Sequence, residues 1–244
     1  MVRYPLPLDL VAWLSWAVVR GRSRSFLQDA RRCAARLSSP ITVFGREHIP
    51  AAGASLITVN HYARPGFKAW WLAIAISSVL TTEVHWVMTE AWTYPDLGRA
   101  HTVTPFSRWL FRRIASVYGF SQMPPMPPRA GEEWRRAAAV RNVLRFARSS
   151  DSPVIGLAPE GGDFAALGKM SRPPSGAGRF AVLLNQSGIP ITPVAIYEED
   201  DRLNLHFGER YTFQIPARLE ADELDRFASR VMMERIVDLL PRYG

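Results

Sequence analysis

Cysteine is almost absent from this 244-residue chain, in which Cys33 is the single example. One cysteine excludes an internal disulfide and a cysteine-based zinc site, so a reducing compartment is the simpler assumption. Lysine is also scarce, because only Lys68 and Lys169 accompany 28 arginines. Long apolar runs are missing too: the longest, 10–19 and 69–80, fall well short of the ~20 residues that a membrane-spanning helix needs. No spanning helix is therefore expected.

Acidic residues are outnumbered, with 22 against 30 basic residues and a formal net charge of +8. The imbalance is confined to one part of the chain. Residues 1–150 carry 20 basic and 8 acidic side chains, whereas residues 151–244 carry 10 and 14. A hydrophobic fraction of 48% and a charged fraction of 21% are ordinary for a globular protein, which excludes a disordered or fibrous chain. The positive N-terminal half predicts an anionic partner, either a membrane surface or a nucleic acid.

An apolar helix with a basic flank is predicted near the N terminus. The run 10–19 contains Trp13 and Trp16, and six arginines follow it: Arg20, Arg22, Arg24, Arg31, Arg32 and Arg36. Tryptophan beside arginine is typical of a helix that lies in the lipid headgroup layer. The alternative is a helix packed on the domain itself through a stripe of apolar residues: Leu10, Trp13, Leu14, Ala17 and Val18. We interpret residues 1–39 as an N-terminal helical membrane-associating segment and residues 40–244 as one further domain.

Beyond Pro40, runs typical of strands alternate with helical patterns. Strands are predicted at 41–44, 55–59, 84–88, 117–120, 153–157, 191–196 and 203–207. Helices are predicted at 26–37, 67–80, 106–115, 132–148, 177–186 and 221–240. The proline-rich stretch 123–128 is expected to be a loop or an apolar lid, since proline lacks a backbone N–H. This alternation predicts an α/β fold, with a single mostly parallel sheet flanked by helices and an N-terminal amphipathic helical appendage.

Two short polar sequences come directly after buried strands. VNHY (59–62) ends the strand at 55–59, and APEGGD (158–163) follows the strand at 153–157. In open α/β sheets, ligands bind beyond the carboxyl ends of the strands. His61 offers an imidazole for general-base chemistry, and Glu160 offers a carboxylate beside flexible backbone donors. Each is also typical of a structural loop residue, so neither sequence is specific alone.

Taken in order, these sequences resemble the blocks of the glycerolipid acyltransferase family of the lysophosphatidic-acid type. SLITVNH (55–61) is similar to the first block, and VMTEAW (87–92) with RRIASVYG (112–119) to the second. GLAPEG (156–161), followed by GRFAVLL (178–184), resembles the third block. GIPITPVA (188–195) and FGER (207–210) are similar to the fourth. The resemblance implies an O-acyltransferase that moves an acyl group from a thioester donor to a lipid hydroxyl.

The chain departs from this family at two positions that bear on the chemistry. The first block of the family reads His-x-x-x-x-Asp, in which the Asp orients the imidazole, and here Gly66 is the fifth residue after His61. The Thr-Arg of the third block, whose Arg contacts the acceptor phosphate, is replaced by Gly162 and Asp163. We hypothesise that Asp163 or Glu160 supplies the missing carboxylate. We also expect an acceptor other than the standard lysophosphatidate.

The resemblance also implies a set of substrate-binding residues beside the catalytic candidates His61, Asp163 and Glu160. These residues are Asn60, Arg64, Lys68, Pro159, Gly161 and Gly162. Backbone amides near the two glycines would stabilise the oxyanion of the reaction. Arg64 and Lys68, one turn apart, would contact an anionic acceptor or a donor phosphate, or would be solvated charges instead. No metal or cofactor is expected, and acyl-CoA or acyl-carrier protein would be the co-substrate.

Three functions remain open from the sequence. The first is an acyltransferase bound to the cytoplasmic face of a membrane, with a lipid or glycolipid acceptor. The second is a catalytically inactive protein of the same fold that binds lipid or acyl chains as an accessory. The third is a basic nucleic-acid-binding protein, favoured by Trp92, Tyr94 and Trp109 among arginines. No nucleic-acid-binding motif accompanies these aromatic residues, so a nucleic-acid partner is not expected.

Other polar residues are expected to be structural. His48, His85, His101 and His206 lack metal-ligand spacing and are expected in surface or core roles. The acidic run 198–201 is expected to form a solvated loop between two strands.

Overall fold

The computed structural model describes residues 2–5, 7–126, 131–161 and 171–241. In these ranges seven strands form one sheet: β1 (Thr42–Phe44), β2 (Ser55–Val59), β3 (His85–Thr89), β4 (Ser121–Met123), β5 (Val154–Leu157), β6 (Ile191–Glu199) and β7 (Arg202–Phe207). The helices are α1 (Leu8–Arg20), α2 (Phe26–Ala34), α3 (Trp70–Val79), α4 (Leu97–Tyr118), α5 (Glu133–Ser149), α6 (Ala177–Gln186) and α7 (Ala221–Val237). The predicted α/β fold, with one mostly parallel sheet flanked by helices, is confirmed.

The sheet has the strand order β1-β7-β6-β2-β5-β3-β4. Strands β2 to β6 are parallel, β7 is antiparallel to β6, and β1 pairs in parallel with β7. Crossovers between parallel strands are right-handed, so α3 and α4, which lead outward from β2 to β4, lie on one face. Because α5 and α6 lead back across the sheet, they lie on the other face. α7 packs beside α6, while α1 contacts α4 and α2 contacts α3.

Apolar side chains of the central strands fill both faces of the sheet. Leu56 and Ile57 are adjacent in β2 and fully buried, yet they belong to different core clusters. Ile57 packs in the cluster that contains Trp71 of α3, and Leu56 packs in the cluster that contains Phe180 of α6. Successive residues of a strand point to opposite faces, so helices on both sides bury the whole run. Each such side chain contributes about 1.5–3 kcal/mol relative to an exposed position.

The predicted strand at 117–120 is wrong, and strand β4 lies at Ser121–Met123 instead. Helix α4 begins after Asp96, whose side chain accepts a hydrogen bond from the backbone N–H of Arg99, and continues through Pro105 to Tyr118. Val117, on the last turn, is buried because Ala17 and Val18 of α1 cover it. Contact with a distant helix, rather than strand pairing, accounts for the apolar character of this stretch.

Helix α1 packs on the body through one face only. Leu10, Ala17 and Val18 are buried, as the packed alternative predicts, whereas Trp13 remains 57% exposed. Its neighbour Trp16 also lies on the outside. No helix in the described ranges combines the length and the apolar character needed to cross a bilayer.

The acidic run 198–201 differs from the solvated loop that we expected. Glu198 lies within β6 and is largely buried. Asp200 and Asp201, with φ of 50° and 57°, form the two-residue turn of the β6–β7 hairpin, in which Glu199 pairs with Arg202. A hairpin turn of this kind requires two positive φ angles and favours Asp, Asn and Gly. Asp200 and Asp201 therefore form the hairpin turn, whereas Glu198 forms an ion pair with Arg64.

Candidate active site

The two polar sequences predicted to form the site meet at the centre of the sheet. Strands β2 and β5 are neighbours, with Thr58 opposite Leu157, so their carboxyl ends are level. The chain leaves β2 towards the α3 face and leaves β5 towards the α6 face. Such a reversal opens a crevice at the carboxyl ends of the strands, where ligands of α/β proteins bind. His61 and Glu160 stand at this crevice.

Glu160 connects two segments of the chain. Its side chain is buried, with 2% exposure, and its Oε1 accepts a hydrogen bond from the backbone N–H of His61 at 2.6 Å. Its Oε2 accepts from the backbone N–H of Ser171 at 2.6 Å and from the Ser171 hydroxyl at 3.2 Å. A carboxylate that is buried needs several donors of this kind. These bonds hold the backbone that carries the imidazole, which differs from the orienting contact to the ring that we hypothesised.

Asn60 occupies the last position before His61 and is also engaged with the backbone. Its Nδ2 donates to the carbonyl of Ile196 at 3.0 Å, and its Oδ1 accepts from the N–H of Ile196 at 2.8 Å. The side-chain amide thus replaces a pair of ladder hydrogen bonds where β2 ends beside β6. Asn60 is also buried, with 5% exposure, so the structure assigns this amide to the backbone rather than to the substrate contact that the resemblance implies.

The turn after β5 is closed by its own backbone. The N–H of Gly161 donates to the carbonyl of Ala158 at 3.1 Å, with Pro159 buried between them, and Gly161 has a φ of +76°. This N–H is therefore not available as the oxyanion donor that we predicted. A Cβ at Gly161 would lie 3.1 Å from Cγ of Met126, so the proline-rich stretch passes close to the turn. Gly162 and Asp163 lie outside the described residues.

Comparisons with known proteins agree with this geometry at the level of the fold. No protein-family model matches the sequence, and no curated protein is significantly similar to it. Among solved structures, the 1-acyl-sn-glycerophosphate (LPA) acyltransferase PlsC from Thermotoga maritima superposes with a TM-score of 0.56. The match covers 90% of this chain and 80% of that one at 16% sequence identity. The chain has an acyltransferase-like fold. At this identity the likeness concerns the fold alone.

Within the acyltransferase-like fold, Arg64 forms an internal ion pair rather than the contact with a substrate anion that we predicted. Its side chain is 13% exposed, and its Nε donates to Oε1 of Glu198 at 2.5 Å. Its Nη2 donates to the carbonyl of Val2 at 2.9 Å, and the Tyr4 hydroxyl donates to the same Glu198 oxygen at 2.5 Å. Burial and the Glu198 carboxylate raise the pKa of Tyr4 far above its ordinary value, so this hydroxyl stays protonated. Arg64 therefore ties the N-terminal residues to β6, whereas Lys68 is exposed.

Replacing Arg64 with methionine should lower the free energy of unfolding by about 2 kcal/mol, because it leaves the buried Glu198 carboxylate without its cation. The matched change of Lys68 to methionine should alter it by less than about 0.5 kcal/mol, since that side chain is exposed. Urea titration of both variants measures the difference. Equal, small effects would contradict the structural role of Arg64.

Gly66 adopts a backbone conformation that an aspartate would rarely take. Its φ is +89°, in the region open mainly to glycine, and a Cβ there would lie 3.4 Å from Nη1 of Arg64. The fifth residue after His61 therefore lacks a carboxylate and also has a backbone conformation that favours glycine. A single substitution would not rebuild the motif.

The variant Gly66→Asp should be less stable than the wild type by about 1–2 kcal/mol and should gain no acyl-transfer activity. Gly53 is a suitable control, because it has a φ of +84° in the connection that precedes β2, at the opposite edge of the sheet. Gly53→Asp should have a similar effect on stability. Thermal unfolding and a thioester assay on both variants test this expectation, and a rise in activity at Gly66→Asp alone would contradict it.

A charged cluster that sequence reasoning missed lies beside this site. Glu90, directly after β3, bonds Arg135 of α5 and lies 3.6 Å from Nε of Arg108 of α4. The neighbouring Arg136 donates to the carbonyl of Pro125 at 2.6 Å and contacts the sulfur of Met126 at 3.5 Å. The cluster joins two helices to the stretch that passes the Gly161 turn. The spacing of Glu132, Arg135 and Arg136 indicates ion pairs at the start of α5. No local pattern indicates that Arg135 also bonds the distant Glu90.

His85, His206 and His101 lie at core or surface positions. His85 stacks on Phe146 at 3.8 Å, its Nε2 lies 2.8 Å from the Ser121 hydroxyl, and burial lowers its pKa to about 4. His206 contacts the carbonyl of Leu239, and His101 is exposed on α4. The described part of the chain brings no three His, Cys, Asp or Glu side chains together as a metal-binding group.

Proposed function

We propose that the protein is an O-acyltransferase that moves a fatty acyl group from a thioester to a hydroxyl of a lipid or glycolipid. The observation that carries the proposal is the meeting of the His61 and Glu160 turns at the central crevice of an acyltransferase-like fold. The acyl donor is acyl-CoA or acyl-carrier protein, which is consumed as a co-substrate. The reaction requires no metal.

In this proposal the imidazole of His61 removes the proton from the acceptor hydroxyl. The oxygen attacks the thioester carbonyl, and the tetrahedral intermediate collapses to the ester and a thiolate. The thiolate then takes the proton from the imidazolium, so the enzyme returns to its starting state. General-base assistance of this kind supplies about 10²–10⁴-fold in rate. Glu160 supports the step indirectly, through the backbone of His61.

Two features favour an acceptor without a phosphate monoester. The third-block arginine that would bind the phosphate is replaced in this sequence. Arg64, the cation nearest His61 in the sequence, is committed to Glu198. The acceptor is therefore proposed to be a neutral hydroxyl of a lipid or glycolipid rather than lysophosphatidate.

We place the reaction at the cytoplasmic face of a membrane, with α1 as the attachment. The outer face of α1 exposes large apolar residues, namely Leu8, Trp13, Trp16 and Val19. The guanidinium of Arg22 lies 5.1 Å from the ring of Trp16. Aromatic rings with basic neighbours favour the headgroup layer of anionic lipids.

A second candidate function is an inactive protein of the same fold that binds lipid or acyl chains. Gly66 at φ +89° favours it, because no carboxylate occupies the position that orients the imidazole in the family. Incubating the protein with an acyl thioester and a panel of lipid acceptors distinguishes the two. Acceptor-dependent thiol release supports the enzyme, whereas acyl-chain binding without thiol release supports the inactive protein.

A further inference from the structure

We propose that helix α4 carries a second lipid-docking surface, beside α1, that binds the headgroup layer of an anionic phospholipid bilayer. The surface consists of Phe106, Trp109, Arg112 and Arg113. Phe106 is 58% exposed and Trp109 is 47% exposed, with ring centroids 6.0 Å apart. Both arginines are exposed as well. The inference rests on the membrane location proposed above and extends it to a part of the chain far from the N terminus.

The spacing of these residues places them on one side of the helix. Phe106, Trp109 and Arg113 are related as i, i+3 and i+7, which lie on a common face of an α-helix. The buried face of α4 is different, and includes Thr104, Ser107 and Ala115. Two large aromatic rings thus face solvent although the helix has a separate face for the core. Exposed apolar residues that cluster beside charges mark a surface for a partner.

The charges of α4 indicate what that partner is. The helix has 22 residues and contains no aspartate or glutamate, but four arginines: Arg99, Arg108, Arg112 and Arg113. Arg108 turns inward to Glu90, and Arg99 pairs with Asp96 at the N-cap. Arg112 and Arg113 are left on the aromatic side. A surface of Phe and Trp beside two exposed cations is complementary to anionic headgroups above acyl chains.

The surface is continuous with the part of α4 that supports α1. The contact with α1 lies near the end of α4, where Ile114 and Val117 form a cluster with Ala17 and Val18 of α1. The α4 surface therefore begins where the α1 contact ends, on the same side of the helix. Because the two helices are packed neighbours, one bilayer can meet the outer face of α1 and the α4 surface together. Two moderate contacts of this kind strengthen each other through effective concentration.

Vesicle co-sedimentation of the full chain tests the inference. The probe is phosphatidylcholine vesicles with and without phosphatidylglycerol. The double variant Phe106→Ser/Trp109→Ser should bind anionic vesicles about tenfold or more weakly than the wild type. Arg112→Gln/Arg113→Gln should lose about fivefold per arginine at low salt and less at high salt. Trp134→Ser is the control, because Trp134 is 69% exposed on α5, across the sheet from α4.

The vesicle-binding results decide whether the α4 surface contacts the bilayer. Wild-type vesicle binding by both α4 variants, or equal losses in the Trp134→Ser control, would overturn the inference. The inference would also be overturned if the wild-type protein did not bind vesicles, or if the α4 variants lost RNA binding and kept vesicle binding. Circular dichroism of every variant shows whether the fold is retained. Acceptor-dependent thiol release from a soluble short-chain thioester and a soluble hydroxyl acceptor, measured in parallel, separates this inference from the proposed chemistry, because the α4 changes should leave that rate unchanged.

Discussion

Replacing His61 with alanine should lower acceptor-dependent thiol release by about 10²–10⁴-fold, with a much smaller effect on the free energy of unfolding than the loss of the Glu160 carboxylate would have. The separation of the two effects follows from the hydrogen bonds at the crevice. Glu160 accepts from the backbone N–H of His61, and alanine keeps that N–H. The variant should therefore retain the turn and lose only the imidazole. Thiol release with a lipid acceptor measures the first quantity, and denaturant unfolding measures the second.

A matched histidine elsewhere makes this result specific. His48 lies in the connection from β1 to β2, and this connection is at the opposite edge of the sheet because β1 runs against the direction of β2. His48→Ala should keep wild-type activity. If His61→Ala also keeps wild-type activity, the imidazole is not the general base, and the inactive, lipid-binding alternative is favoured.

The crevice itself could be predicted from sequence because its two halves depend on local signals. Strands β2, β5 and β6 are short apolar runs, and parallel strands of an α/β fold end at a common edge. His61 and Glu160 each follow such a run directly. Once the strands are placed, the two residues must face the same edge. The structure adds that β2 and β5 are immediate neighbours, which brings the two residues into hydrogen-bonding contact.

The roles of the flanking residues could not be predicted, because their partners lie far away in the chain. Arg64 contacts Glu198, 134 residues later, and Val2, 62 residues earlier. No local pattern distinguishes such an arginine from a solvated one or from an anion contact. Asn60 is similar, since its partner Ile196 lies 136 residues away. The positive φ of Gly66 could not be predicted either. The sequence shows that the carboxylate is missing at this position, but it does not show the backbone conformation.

Replacing Glu160 with glutamine should lower the free energy of unfolding by about 2–4 kcal/mol, and replacing it with alanine by about 3–5 kcal/mol. The carboxylate accepts from two backbone amides, one on each oxygen. Glutamine has a single acceptor oxygen, so its NH₂ group must face the N–H of either His61 or Ser171. Alanine leaves both donors buried without an acceptor. Chemical denaturation measures these losses, and Ser171→Ala, which removes only the hydroxyl bond of 3.2 Å, should lose about 1 kcal/mol.

The activity of the same variants separates a positioning role of Glu160 from a direct one. If Glu160 acts only by holding the backbone of His61, Glu160→Gln should slow acyl transfer in the wild-type background. In the His61→Ala background it should have little further effect on rate, because the group that it positions is gone. Its effect on stability should be the same in both backgrounds, since the backbone donors remain. A further loss of rate in the double variant would instead indicate that Glu160 contacts the reacting groups themselves.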